Sequence, residues 1–280
     1  MKRIIYTIVV LLLPALTINA QDFKIPEPSS KQSIIQDFGL GKVTLVYSRP
    51  NVKGRKIFGE VEPYQLVWRT GANYATTLQL TDDVTIEGNK VPAGTYSLFS
   101  IPDKNEWTII LNKTAVQWGA YSYKKDDDFL RFKVRPLKTA QLTETLTMQF
   151  DEMNINSGVL HIRWEHIDLP IHFGTDVDKQ VMAGIEAAMK GEKKPYYRAA
   201  IYYYNHDKDI NKAFEWMDTY DKQQPNSYNI KYWKARIQLK KGDKQAAIAT
   251  AKEGYALAEK EKSAEYMRLN NEVIAEANKG

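Results

Sequence analysis

The chain has 280 residues, 43% of them hydrophobic and 26% charged, a balance that suits one large domain or two ordinary ones and excludes wholesale disorder. It has no Cys, which excludes disulfides, thiolate metal sites, Cys nucleophiles and a Cys-borne lipid anchor. The formal net charge of +5 falls to +3 once Lys2 and Arg3 are set aside. Such a mild excess does not point to nucleic acid, which calls for basic residues clustered on one face.

Lys2 and Arg3 precede an apolar run over residues 4–13, Pro14 breaks the run, and Ile18-Asn19-Ala20 ends it on a small residue. That order predicts a secretion signal over residues 1–20, cut before Gln21. The run is short for a bilayer span and no second one follows, so no stable membrane span is expected after signal removal. The expected location is the periplasm or the cell surface.

From there to about residue 174 the pattern is that of strands. Segments 43–47, 76–80, 84–86, 95–99, 107–111, 130–134, 143–150 and 159–164 are rich in β-branched and aromatic residues and are separated by polar, Gly or Pro turns. Leu130, Phe132 and Val134 alternate with Arg131 and Lys133, so one face is expected to be apolar and the other wet. Short strands without crossover helices predict an all-β antiparallel sandwich or flattened barrel over residues 21–174.

After Gly174 the period changes. Val177, Val181, Ile185 and Met189 recur at four-residue steps, and helical blocks follow over 196–204, 210–220, 230–239, 246–258 and 266–277. Self-comparison at an offset of about 34 residues aligns Asp209 with Asp243, Ala213 with Ala247 and Phe214 with Ile248. Residues 175–280 thus resemble tetratricopeptide repeats, an all-α helical-repeat domain, with small Ala213 and Ala247 where helices approach closely. The second copy departs from the pattern, with Lys231 where an aromatic is expected and Gln238 where Tyr would sit. The run of Tyr196, Tyr197, Tyr202, Tyr203 and Tyr204 with Trp216 and Trp233 reads as helix-packing side chains, although the same residues suit a peptide groove.

The densest polar cluster begins at Tyr47 and continues as Ser48-Arg49-Pro50-Asn51-Val52-Lys53-Gly54-Arg55; Trp68-Arg69-Thr70-Gly71-Ala72-Asn73 follows closely. Two loops that each carry Arg, Gly and a side-chain amide can converge on a small polar or anionic ligand, because the guanidinium is a rigid fork for carboxylates and Gly lets the backbone approach. The candidate binding residues are Arg49, Arg55, Arg69, Asn73, Trp68 and Tyr47. The plainer alternative is that Arg49, Arg55 and Arg69 pair with carboxylates and cap carbonyls of their own domain.

These strings, together with Pro92-Ala93-Gly94-Thr95-Tyr96-Ser97-Leu98-Phe99, Glu106-Trp107-Thr108 and Gln117-Trp118-Gly119-Ala120, closely resemble the family called domain of unknown function 2911. The resemblance covers about residues 25 to 170. It implies an exported bacterial β-domain, often followed by helical repeats, and it implies no activity. Arg49, Arg55, Arg69 and Asn73 match its motif strings, with no role to carry over.

Elsewhere the chemical signals are weak. His161, Arg163 and Glu165 share one strand face, which a wet sheet surface explains, and no metal-ligand spacing is present. The run Lys124-Lys125-Asp126-Asp127-Asp128 lacks the ligand spacing of a calcium loop and reads as solvated. Glu60 with Glu62, or Glu165 with Asp168, can be drawn as an acid pair, but a chain with 34 acidic residues offers many such pairs. No Gly-x-Ser-x-Gly elbow, phosphate loop or dinucleotide fingerprint occurs, so no cofactor is expected. The leading expectation is a non-enzymatic module that binds a polar ligand through its β-domain and a protein or peptide through its helices. An unrecognised enzyme acting on envelope sugars or peptides, with Arg49, Arg69 and Asn73 orienting substrate, is the first alternative. A structural scaffold is the second.

Overall fold

The computed structural model describes residues 25–279; the expected secretion signal lies outside them. Among the described residues no helix is long and apolar enough to cross a membrane. The chain divides into two compact units between Asp176 and Val177.

The first unit is built from ten strands: β1 (Ser30–Phe38), β2 (Gly41–Arg49), β3 (Thr76–Leu80), β4 (Val84–Ile86), β5 (Asn89–Val91), β6 (Gly94–Ile101), β7 (Trp107–Asn112), β8 (Asp128–Val134), β9 (Leu137–Asp151) and β10 (Ser157–Gly174). They form two open antiparallel sheets, ordered β1-β2-β3-β6-β7-β8 and β5-β4-β10-β9. The architecture is a sandwich and not a closed barrel. Its core draws on both sheets, with Leu45, Leu78, Ile109 and Leu111 from the first meeting Leu146, Ile162, Trp164 and Ile171 from the second. Each such side chain contributes about 1.5–3 kcal/mol by leaving water.

The expectation of one wet face per strand fails at the centre of the first sheet. Residues 96–100 of β6 are buried without a break, and β7 is nearly so. Phe99 and Ile110 point away from the main core into a second apolar cluster, roofed by Val67, Ala75, Ala120 and Tyr123 from two loops. Strand β1 is an edge strand with little buried surface, which is why its sequence carries a weak signal.

Strand β10 bends where its pairing with β9 slips, between Arg163 and Glu165 and again between Glu165 and Ile167. Glu165 takes a positive φ of 56° there, within the irregular stretch of the ladder. Pro170 costs no ladder hydrogen bond, because pairing with β9 ends at Asp168 and pairing with β4 begins at Phe173.

Strands β2 and β3 are neighbours in the sheet, yet residues 50–75 lie between them. A connection this long inside a compact domain is uncommon and is usually functional. Both sheets hold it in place. Pro50 and Val52 pair with β9 through Leu146 N–H to Pro50 O and Val52 N–H to Glu144 O, at 2.9 and 2.7 Å. Trp68 exchanges two backbone hydrogen bonds with Ser100 of β6, at 2.7 and 2.9 Å.

The second unit comprises α1 (Asp178–Met189), α2 (Tyr196–Asn205), α3 (Ile210–Gln223), α4 (Tyr228–Lys240), α5 (Lys244–Lys260) and α6 (Ala264–Asn278). Each helix from α2 onward touches the next, and α4 also touches α2 and α6. The two aspartates aligned by the self-comparison do the same job: Asp209 accepts from Asn211 N–H and Lys212 N–H to cap α3, and Asp243 accepts from Ala246 N–H to cap α5. Ala213 and Ala247 are fully buried. Lys231, the departure from the repeat pattern, places its ammonium against buried Asp221 at 3.0 Å and Glu253 at 3.2 Å. An ion pair stands where an aromatic ring was expected.

Candidate functional site

The long connection builds a cleft of about 490 Å3 on the β-unit. Its cationic walls are Lys53, Arg55 and Arg69, and Asn51, Glu62 and Asn73 add polar groups. Trp164, 2% exposed, closes one side. The Trp164 indole stacks on Trp68 with ring centroids 5.7 Å apart and meets Phe58 edge-on at 5.9 Å. Its buried N–H has no acceptor among the described residues.

Local backbone explains how these groups come together. Lys53, Thr70 and Asn73 all adopt positive φ, at 50°, 51° and 58°, a conformation that costs a non-glycine residue about 1–2 kcal/mol. Such residues concentrate at ligand sites, where surrounding structure enforces them. Gly71 sits where a Cβ would come within 3.2 Å of Ser48 O and 3.1 Å of Thr76 Oγ1, so a larger residue would push the loop off β2. Asn73 is fixed through its amide, which donates to Glu27 Oε2 at 2.6 Å and Ser29 O at 3.3 Å.

The three cations are spent on no carboxylate. Arg55 donates from Nε to Val52 O at 3.0 Å and from Nη2 to Asn51 O at 2.6 Å. Arg69 makes one long contact, Nε to Gly71 O at 3.4 Å. Among the described residues none of Lys53, Arg55 and Arg69 reaches a carboxylate at ion-pairing distance.

Among the described residues Glu62 is the lone acid lining this cleft. A tight loop places it, with Glu62 N–H donating to Ile57 O and Gly59 N–H donating to Glu62 O, each at 2.9 Å. Burial pushes its carboxyl up to about 7, against the opposing pull of the Arg69 and Arg55 charges. Near neutral pH it therefore exchanges a proton readily.

The structure divides the residues singled out from sequence into two groups. Arg55, Arg69 and Asn73 line the cleft. Arg49 does not: its Nε donates to Leu146 O and its Nη2 to Thr147 Oγ1, both at 2.9 Å, tying β2 to β9 of the other sheet. Trp68 is a buried support whose indole N–H donates to Gly71 O at 3.1 Å. Tyr47 is also buried; its hydroxyl donates to Gln32 Oε1 at 2.7 Å and accepts from Met148 N–H at 2.8 Å. Tyr47 lines a neighbouring cleft instead.

Glu62 and Trp164 were not singled out as site residues. One acid among many carries no local signal, and Trp164 reads as an ordinary core position. The histidine-bearing face is a paired network more than a wet one. His161 Nδ1 lies 2.8 Å from Asp168, and Arg163 bridges Asp168 and Asp151 at 3.0 and 3.2 Å. Among the described residues no three His, Asp or Glu side chains converge to hold a metal. The charge run over residues 124–128 ends in a knot: Asp128 accepts from Asn112 Nδ2, Tyr123 OH and Arg131 Nε, and burial with Asp128 beside it pushes the Tyr123 hydroxyl up to about 12.

No curated protein and no solved structure matches the chain. Residues 29–173, which contain every wall of the cleft but Pro28, match the family model described as protein of unknown function (DUF2911), and the chain belongs to that family.

Proposed function

We propose that the β-unit is a binding module for a small anionic ligand in an exported protein whose helical unit docks a protein partner. The observation that carries this reading is the set of three cations, Lys53, Arg55 and Arg69, gathered at one cleft with Glu62 as the one acid among its described walls and no carboxylate at ion-pairing distance among the described residues. Arg55 and Arg69 each commit only part of their five N–H donors to backbone carbonyls, which leaves donors for bidentate recognition of a carboxylate. Export is supported by the order of charge, apolar run and small residue over positions 1–20.

A second reading is favoured by Glu62. A carboxyl pushed up to about 7 beside two guanidinium groups is the arrangement of an acid–base residue next to an anion clamp. In that reading Arg55 and Arg69 hold an anionic substrate while Glu62 moves a proton.

The test is isothermal titration of the purified protein with sulfate, acetate, malonate and galacturonate, repeated with Arg55→Ala/Arg69→Ala and with Arg49→Ala. Saturable binding that falls at least tenfold in the double variant and persists in Arg49→Ala supports the reading. Absence of binding to every anion, or equal loss in both variants, refutes it. Turnover of a bound anion that stops in Glu62→Gln would move the assignment to the enzyme.

A further inference from the structure

Beside the cation cleft the β-unit exposes side chains that its own packing does not use. Tyr74 and Trp118 are joined by a backbone bridge and stand edge to face, with ring centroids 4.9 Å apart. They are 55% and 53% exposed, and neighbouring Val116 and Tyr121 are 73% and 85% exposed. Scattered apolar residues on a surface need no explanation, but a cluster of large rings marks a contact site.

This cluster borders a second cleft of about 450 Å3, lined by Tyr47, Tyr74 and Val116 together with Lys31, Ser48 and Asn73. Asn73 lines both clefts, so they share a wall. The aromatic loop also abuts Arg69 directly. A Cβ on Gly119, the residue after Trp118, would lie 2.9 Å from Arg69 Nη1. Gly119 N–H in turn donates to Asn73 O at 3.0 Å.

We propose that the two clefts are adjoining subsites for an acidic oligosaccharide. The carboxylate of one sugar residue lies against Arg55 and Arg69, and the next ring lies against Tyr74 and Trp118. The proposal rests on the anion reading of the first cleft and adds the ligand class. A pyranose ring has apolar C–H faces that cover aromatic side chains and an equatorial rim of hydroxyls that pairs with groups such as Asn73, Ser48 and Lys31. A strongly cationic cleft beside one that carries aromatic rings and the single cation Lys31 fits a chain of rings bearing carboxylates. An alkyl chain would leave Lys31 and Glu27, another wall of the second cleft, facing hydrocarbon.

The experiment compares galacturonate, its α-1,4-linked disaccharide and trisaccharide, and an uncharged galactose trisaccharide by isothermal titration with the whole protein. Expected is an affinity for the acidic di- and trisaccharide at least tenfold above that for galacturonate, with the neutral trisaccharide much weaker. Trp118→Ala and Tyr74→Ala should remove that increment and leave galacturonate binding unchanged. Both residues are more than half exposed, and thermal melts verify that the variants fold. Affinity independent of chain length, or unchanged trisaccharide binding in both variants, overturns the second subsite while leaving the anion reading intact. If sulfate, acetate, malonate and galacturonate all fail to bind, the anion reading itself falls and takes this proposal with it. Displacement of the trisaccharide by an acidic aromatic peptide of higher affinity would overturn the assignment to sugars.

Discussion

Replacing Glu62 with Gln isolates the electrostatic state of the cleft. The carboxyl has an ordinary value of 4.5, and burial raises it to about 7 in the folded protein. Between those values the folded chain binds a proton that the unfolded chain has released. Stability is therefore fully present below pH 4.5 and is lost as pH rises through about 7, after which it is level. The interval corresponds to about 3 kcal/mol, an upper figure because the side chain is only half-buried. Gln keeps the shape without the charge. Urea unfolding followed by circular dichroism at pH 5, 6, 7 and 8 should show the wild type losing about 1–3 kcal/mol relative to Glu62→Gln across that range. The same variant should bind sulfate more tightly than wild type at pH 8, where an ionised Glu62 competes for Arg55 and Arg69, and equally at pH 5. Parallel stability curves for the two proteins would refute the burial of this carboxyl and the reasoning built on it.

Arg49→Ala should cost about 1–3 kcal/mol, because it leaves Leu146 O without its donor, while anion affinity changes less than twofold. Denaturation midpoints and titration read the two effects separately. Tyr47→Phe should cost a similar amount, since the Met148 N–H loses its buried acceptor; amide exchange at Met148 reports it. Asp209→Ala and Asp243→Ala should each destabilise the helical unit by about 1 kcal/mol through loss of a cap, seen as faster exchange in the first turns of α3 and α5.

The architecture was legible because spacing encodes burial locally. Phe132 and Val134 of β8 are buried as their alternation with Arg131 and Lys133 required, and the shared capping role of Asp209 and Asp243 is visible in a simple offset. What sequence could not convey is which loops fold over which strands. Residues 95–99 read as an ordinary half-wet strand, yet from Tyr96 onward one face packs into the core between the sheets and loops distant in sequence cover the other. The arginines illustrate the same limit. Arg49, Arg55 and Arg69 are equivalent as letters, and only partners 97 and 98 positions away, Leu146 and Thr147, remove Arg49 from the cleft. Glu62 becomes distinctive only when Trp164, a hundred residues later, closes the wall beside it.

The stitching of residues 50–75 to both sheets bears on how a ligand is met. A loop that had to order itself around its guest would give up about 1–2 kcal/mol of backbone entropy per residue immobilised. Here Pro50, Val52 and Trp68 are already clamped, and Asn73 is held by three acceptors. The receptor surface stands ready before encounter, so recognition should proceed as docking into a rigid mould, fast in onset and governed by how quickly the guest departs.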